Sequence, residues 1–217
     1  MYESEKIVGV GCISVESGQG WIEGMRIHPD FVRCGYATEL KRYAEHLVSD
    51  KGGDVIRAFV NIHNTPSLNL SKKCGYEIGN IWNWYELHHY DIGRYEKRTI
   101  DRKLDMQYVD SWRLYDIKDD IHVTSIDDTI FTILPSKHFA NTILVTILEA
   151  SDLTGFVSYM AEVVIPVVKA SVGNDSESTH GWNAGVHIVS NMDESLFRNN
   201  FKKIDSYNIV QKRLDVF

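Results

Sequence analysis

The stretch His28–Leu40, "HPDFVRCGYATEL", decides how the chain is read. Upstream lies the apolar run Trp21–His28, "WIEGMRIH", which alternates well enough to be a strand. Downstream, Ala37, Leu40, Ala44, Leu47 and Val48 recur at spacings of three and four, the period of a helix with one buried face. Pro29-Asp30 closes the strand and Gly35 opens the helix. The first backbone N–H groups of a helix lack intrahelical partners and carry about half a unit of positive charge. With a glycine before them and Arg33 beside them, these groups form a ready anion site.

Working outward, Ile7–Val15 is β-branched and glycine-broken, and pairs as a hairpin with the following strand across "GQG". Lys51-Gly52-Gly53 stops the helix, and Val55–Val60 is a short apolar strand. Pro66 suits the first turn of a short helix, capped by Asn64 or Thr65 and running to about Lys73, with Gly75 as its stop. Tyr76–Leu87, rich in aromatics, is again a strand. The predicted order is β-β-α-β-α-β.

Residues 91–112 are charged and aperiodic and read as a connection between a lobe over 1–90 and a second over 113–217. Strands are predicted at Thr129–Leu134, Thr142–Glu149, Val186–Ser190 and Tyr207–Val216. Helices are predicted at Asp152–Val172, kinked at Pro166, and at Asp193–Ile204. The same element order would then occur twice, in a mixed α/β (α+β) protein.

The 217 residues are 43% hydrophobic and 24% charged, ordinary for a globular chain, and no apolar run is long enough for a bilayer. A formal charge of −7 argues against a general nucleic-acid binder. The three cysteines, Cys12, Cys34 and Cys74, lack metal-like spacing and read as reduced thiols, which with the polar first residues suggests a cytoplasmic protein. His88, His89 and Asp91 could meet at a metal, but such surface groups are usually incidental, and no metal is expected. Trp82, Trp84 and Tyr85 could form an exposed sheet-edge patch that pairs with another chain.

A second stretch, Asn64–Tyr76, "NTPSLNLSKKCGY", follows the first in register. Together the two resemble motifs A and B of the GCN5-related N-acetyltransferase (GNAT) family, over about residues 7–87. Motif A places (Arg/Gln)-x-x-Gly-x-(Gly/Ala) after a strand, here "VRCGYA"; motif B is Asn-x-x-Ala-x-x-Leu-Tyr-x-Lys-x-Gly-Phe. The resemblance implies acetyl-CoA as co-substrate and a primary amine of a small molecule or amino acid as acceptor. It implies that main-chain groups of Met25, Arg26 and Ile27 meet the pantetheine arm beside a splayed strand pair. Arg33, Cys34, Gly35, Tyr36, Ala37 and Thr38 would hold the pyrophosphate, and Asn64 would touch the pantetheine.

Acyl transfer to an amine needs a base, an oxyanion donor and an easy thiolate departure. Glu23, two residues before Met25 and so on the same strand face by alternation, is the candidate base. His28 and His63 lie near strand ends where protons could be relayed. The family's usual Arg or Gln is Val32 here, and its motif B tyrosine, the proton donor to the thiolate, is Ser71. "MYESEKIVGVG" reads as the end of one strand turning into the next, so the family's first strand and two helices are not found before it: the start is placed too late, the sequence is a fragment, or the second half or a partner chain, as in a homodimer, replaces them. The C-terminal lobe is expected to be a degenerate copy without cofactor. A non-catalytic or regulatory acyl-CoA-binding protein is the alternative.

Overall fold

The computed structural model describes residues 1–3, 5–88, 92–110, 112–117, 121–136, 142–172, 185–197 and 199–214. Its elements, in chain order, are β1 (Gly9–Glu16), β2 (Gln19–Ile27), α1 (Tyr36–Asp50), β3 (Val55–Asn61), α2 (Thr65–Lys73) and β4 (Glu77–Leu87). There follow β5 (Gln107–Asp110), β6 (Arg113–Asp116), β7 (Val123–Ile126), β8 (Thr129–Pro135) and β9 (Thr142–Glu149). Helices α3 (Thr154–Tyr159) and α4 (Ile165–Val172), strand β10 (Gly185–Ser190) and strand β11 (Phe201–Arg213) complete the chain. Short pairings at Tyr2–Glu3 with Lys6–Ile7 precede β1.

The chain divides into two compact units, one of residues 1–81 with 207–217 and one of residues 82–206. In the first, β1 and β2 are antiparallel, β2 and β3 parallel, and β3 and β11 antiparallel, from Tyr207↔Asn61 to Arg213↔Val55. One face of this sheet carries a core in which Ile22, Ile56, Ala58 and Val210 meet Ala44 and Val48 of α1, with Leu68 of α2 against them. Gly20 and Gly53 let Val48 settle onto the sheet: a Cβ at Gly20 would stand 2.1 Å from Val48 Cγ2.

In the second unit the strand order is β4-β10-β9-β8-β7, followed by the residue pair Lys97–Arg98. Only β9 and β10 run parallel. Phe131, Val145, Ile147 and Ile188 pack against Phe156, Val157 and Met160 from the helical side. A small hairpin of β5 and β6 is joined to β9 by Val109 N donating to Thr146 Oγ1 at 3.0 Å.

Four expectations are corrected. The terminal strand, expected to close the second lobe, pairs with β3 of the first unit over its last seven residues, so compact units do not fall at the boundaries near 90 and 113. The helix expected at Asp193–Ile204 is a 3-10 turn at Glu194–Phe197, because Asn199 takes a left-handed φ of 68° and the chain re-enters a strand at Phe201. Strand β10 is followed by that turn and β11, so the second half does not repeat the order of the first. Trp82, Trp84 and Tyr85 are buried, Trp84 stacked on Trp112 and Tyr85 on Phe197, and form no exposed patch. The single helix expected over Asp152–Val172 is α3 and α4 joined by a π turn at Met160–Val164, which ends just before Pro166. His89 and Asp91 lie outside the described residues.

Candidate functional site

Parallel strands β2 and β3 pair only over Gln19–Trp21 and Val55–Arg57. Beyond that point β2 continues to Ile27 and β3 to Asn61 without a ladder between them. On its other side β2 stays paired to β1 out to Ile27↔Gly9. The main-chain groups of residues 22–27 that face β3 are therefore left without a strand partner on that side. This is the splayed pair expected beside Met25, Arg26 and Ile27. Because β2 and β3 are parallel, the turns into α1 and α2 leave from the same end of the sheet. Ligand crevices of open α/β sheets form at the carboxyl ends of such strands.

The segment after β2 is built tightly. Pro29–Phe31 forms a 3-10 turn capped by His28, whose Nδ1 accepts from Asp30 N at 3.3 Å. Phe31 packs edge-on between His28 and Tyr36. Arg33 and Gly35 both take left-handed backbone, φ 68° and 94°. Arg33 bears a cost of about 1–2 kcal/mol for that conformation, the kind of local strain found at ligand-binding turns. Gly35 caps α1 without any side-chain hydrogen bond, and the first helical bonds run from Thr38 N and Glu39 N to Gly35 O at 2.9 and 3.2 Å. The amides of Tyr36 and Ala37 come before those bonds, at the positive end of a 15-residue helix. Val32, Arg33, Cys34 and Gly35 are exposed, and a Cβ at Gly35 would meet nothing within 4 Å. Backbone N–H groups grouped in this way suit an anion. The Tyr36 phenol is pushed up to about 12, chiefly by its hydrogen bond to the Glu3 carboxylate and then by desolvation.

Glu23 and Met25 do not share a face, contrary to simple alternation. Gly24 has φ 61° and the register slips there, with Val10 opposite Arg26 but Cys12 opposite Glu23. This bulge sends Met25 to the α1 side, where its Cγ stands 3.7 Å from a Cβ built on Gly11 and its side chain joins the cluster of Ile22 and Val48. Glu23, half-buried, lies on the opposite face. Asn64 is a helix cap, its Oδ1 accepting from Ser67 N at 3.2 Å. Its side chain is exposed at the start of α2.

Ser71, at the position of the motif B tyrosine, is buried with its hydroxyl already engaged. It is 1% exposed, donates to Ser67 O at 2.8 Å, and accepts from Lys41 Nζ at 3.0 Å. That lysine is the principal polar feature missed by sequence reading. Lys41 is 4% exposed, and its Nζ stands 3.5 Å above the centroid of the Tyr76 ring. Burial pulls its ammonium down from 10.5 to about 8, the nearby Cys74 and Glu45 opposing that fall and Lys212 adding to it. Glu45 Oε2 accepts from Lys212 Nζ at 2.7 Å. Neither Tyr76 Oη nor Glu45 Oε1 has a hydrogen-bond partner among the described residues. Desolvation, and then the field of Glu45, push the Tyr76 phenol well above its usual range. The signal lay in the spacing: 41, 44 and 48 share one helical stripe.

Comparison with known proteins agrees with the fold. Residues 1–76 match the acetyltransferase (GNAT) family model. A GCN5-related N-acetyltransferase from Sphaerobacter thermophilus superposes with a TM-score of 0.58 at 12% identity, covering 95% of this chain and 76% of that one. A protein of Thermoplasma acidophilum described as an acetyltransferase gives 0.57 at 13% identity, covering 98% and 77%. By its family match over residues 1–76 and its fold over most of its length, this chain has the architecture of the GCN5-related N-acetyltransferases.

Proposed function

We propose that the chain transfers an acetyl group from acetyl-CoA to a primary amine of a small molecule or amino acid. The observation that carries this reading is the parting of β2 from β3 after Trp21 and Arg57, at the sheet end where the uncapped α1 begins. A pantetheine arm is a peptide-like chain and can lie along the unpaired edge of residues 22–27 as a strand would. The diphosphate would be met by the amides of Arg33, Gly35, Tyr36 and Ala37, those of Cys34 and Thr38 being taken by Phe31 O and Gly35 O, with Arg33 adding a full charge. The group fits what the residues offer: an exposed turn, left-handed glycine, and amides free of helical bonds.

The chemistry follows from charge. The acceptor amine must be neutral to attack the thioester carbonyl, and Glu23 is assigned as the base that takes its proton. As the carbonyl carbon becomes tetrahedral, its oxygen gains negative charge, which a main-chain N–H of Met25–Ile27, past the bulge, can stabilise. Collapse then breaks the carbon–sulfur bond, and the remaining extra proton of the attacking nitrogen passes to the departing sulfur, leaving an amide and free CoA thiol. Ser71 takes no part in that departure.

The burial of Ser71 also favours a second reading, in which acyl-CoA is bound without turnover. Release of free CoA thiol, followed with a thiol reagent across a panel of amines, separates the two. Turnover above the rate without protein supports the transferase; calorimetric binding of acetyl-CoA without turnover supports the binder. Glu23→Gln should lower the rate more at low pH, where little amine is neutral unaided, than at high pH. An unchanged pH profile removes Glu23 from the role.

A further inference from the structure

The charged segment after β4, which the transferase reading leaves unused, builds a cavity in the second unit. Lys97 and Arg98 pair with Ile126 and Ser125 of β7. Ile100 and Leu104 point into an apolar cluster with Tyr108 and Leu148, to which Ile117, Ile121 and Val123 also belong. Between this floor and the basic residues is a cavity of about 560 Å³, a size typical of small-molecule sites.

The lining is amphiphilic. Its charged members are Lys97, Arg98, Arg102 and Lys103, with His122 beside them and no carboxylate among the lining residues described. Arg98 is paired with Asp128 at 2.8 Å, and Arg102 with Glu149. Lys97 and Lys103 have no ion-pair partner among the described residues. Two unpaired ammonium groups and two arginines at one mouth stand out in a chain of net charge −7, and they set a positive local field over an apolar wall. Surface ion pairs such as those of Arg98 and Arg102 are weak and leave the guanidinium groups with further donors to offer.

We infer that this cavity is a binding site for a small amphiphilic anion, a carboxylate or phosphate carrying an aliphatic or aromatic body. The apolar body rests on Ile100, Ile117, Ile121 and Val123, and the anionic head is held by Lys97 and Lys103. The site is built wholly from residues of the second unit, and its existence does not depend on the first unit's activity.

The test is calorimetry on the full chain with octanoate, octyl phosphate below its micelle concentration, and inorganic phosphate as the head alone. Saturable one-to-one binding of an octyl compound is expected, weakening as salt rises. Octanoate against octyl phosphate tells which head is preferred. Lys97→Glu with Lys103→Glu should weaken binding at least tenfold, while Lys169→Glu, a charge reversal on α4, should leave it unchanged. Both lysines are exposed, so circular dichroism should show the double variant folded. Absence of saturable binding by either octyl compound, equal binding by the double variant, or displacement by acetyl-CoA would overturn the assignment.

Discussion

Replacing Lys41 by Met should stabilise the protein at neutral pH, and the gain should vanish in base. A fall in the Lys41 ammonium from 10.5 to about 8 corresponds to about 3 kcal/mol of unfavourable burial when the group is charged. The Tyr76 ring, 3.5 Å below Nζ, attracts the charged form and so opposes the fall rather than adding to it. The net cost of the charged lysine relative to the neutral amine is the shift itself, about 3 kcal/mol. Methionine fills the same stem volume, and Ser71 keeps its bond to Ser67 O, so no hydroxyl is orphaned. The sign follows from linkage. The native pKa lies below the unfolded one, so the contribution of this group is complete above about 10.5 and is lost as pH falls through about 8. Urea unfolding of both proteins from pH 7 to 10.5 is the assay. Subtracting one curve from the other removes the background of the tyrosines. The variant should lead by up to about 3 kcal/mol at pH 7 and the lead should close as pH rises toward 10.5. A variant less stable at pH 7 by more than about 1 kcal/mol, with a gap that pH does not change, would refute the reasoning.

Three further outcomes are expected. Gly20→Ala should destabilise by about 1–3 kcal/mol in thermal or urea unfolding, because its Cβ would press into Val48 and the sheet cannot withdraw there. Arg33→Gly should weaken CoA binding by about threefold to tenfold through loss of one charged contact, while relieving left-handed strain and so leaving stability unchanged or raised. Ser71→Ala should reduce stability by about 1–3 kcal/mol by removing the partner of Lys41 Nζ, yet leave the rate constant for acyl transfer within twofold.

Much of the first unit was legible because its punctuation is local. Pro29, Gly35, Asn64 and Gly75 mark strand ends, helix starts and stops through backbone preferences that act within a few residues. The departures have equally physical causes. Gly24 bulges β2 and turns Met25 to the other face, which an alternation rule cannot foresee. Lys41 falls on the buried stripe of α1, where a charged residue is assumed to face water unless its neighbours are known. The pairing of β11 with β3 joins residues such as Tyr207 and Asn61, far apart in the chain, and nothing local specifies that partner. "NMDESLFRNN" has the composition of a helix start, but Asn199 adopts left-handed backbone and ends the turn.

The central claim is that the amides opening α1 and the unpaired edge of β2 receive coenzyme A. It is tested most directly by titrating ¹⁵N-labelled protein with CoA and following the backbone amides. Saturable shifts should concentrate at Gly35, Tyr36, Ala37 and Met25–Ile27. CoA binding that leaves those amides unmoved, or no binding at all, would contradict it.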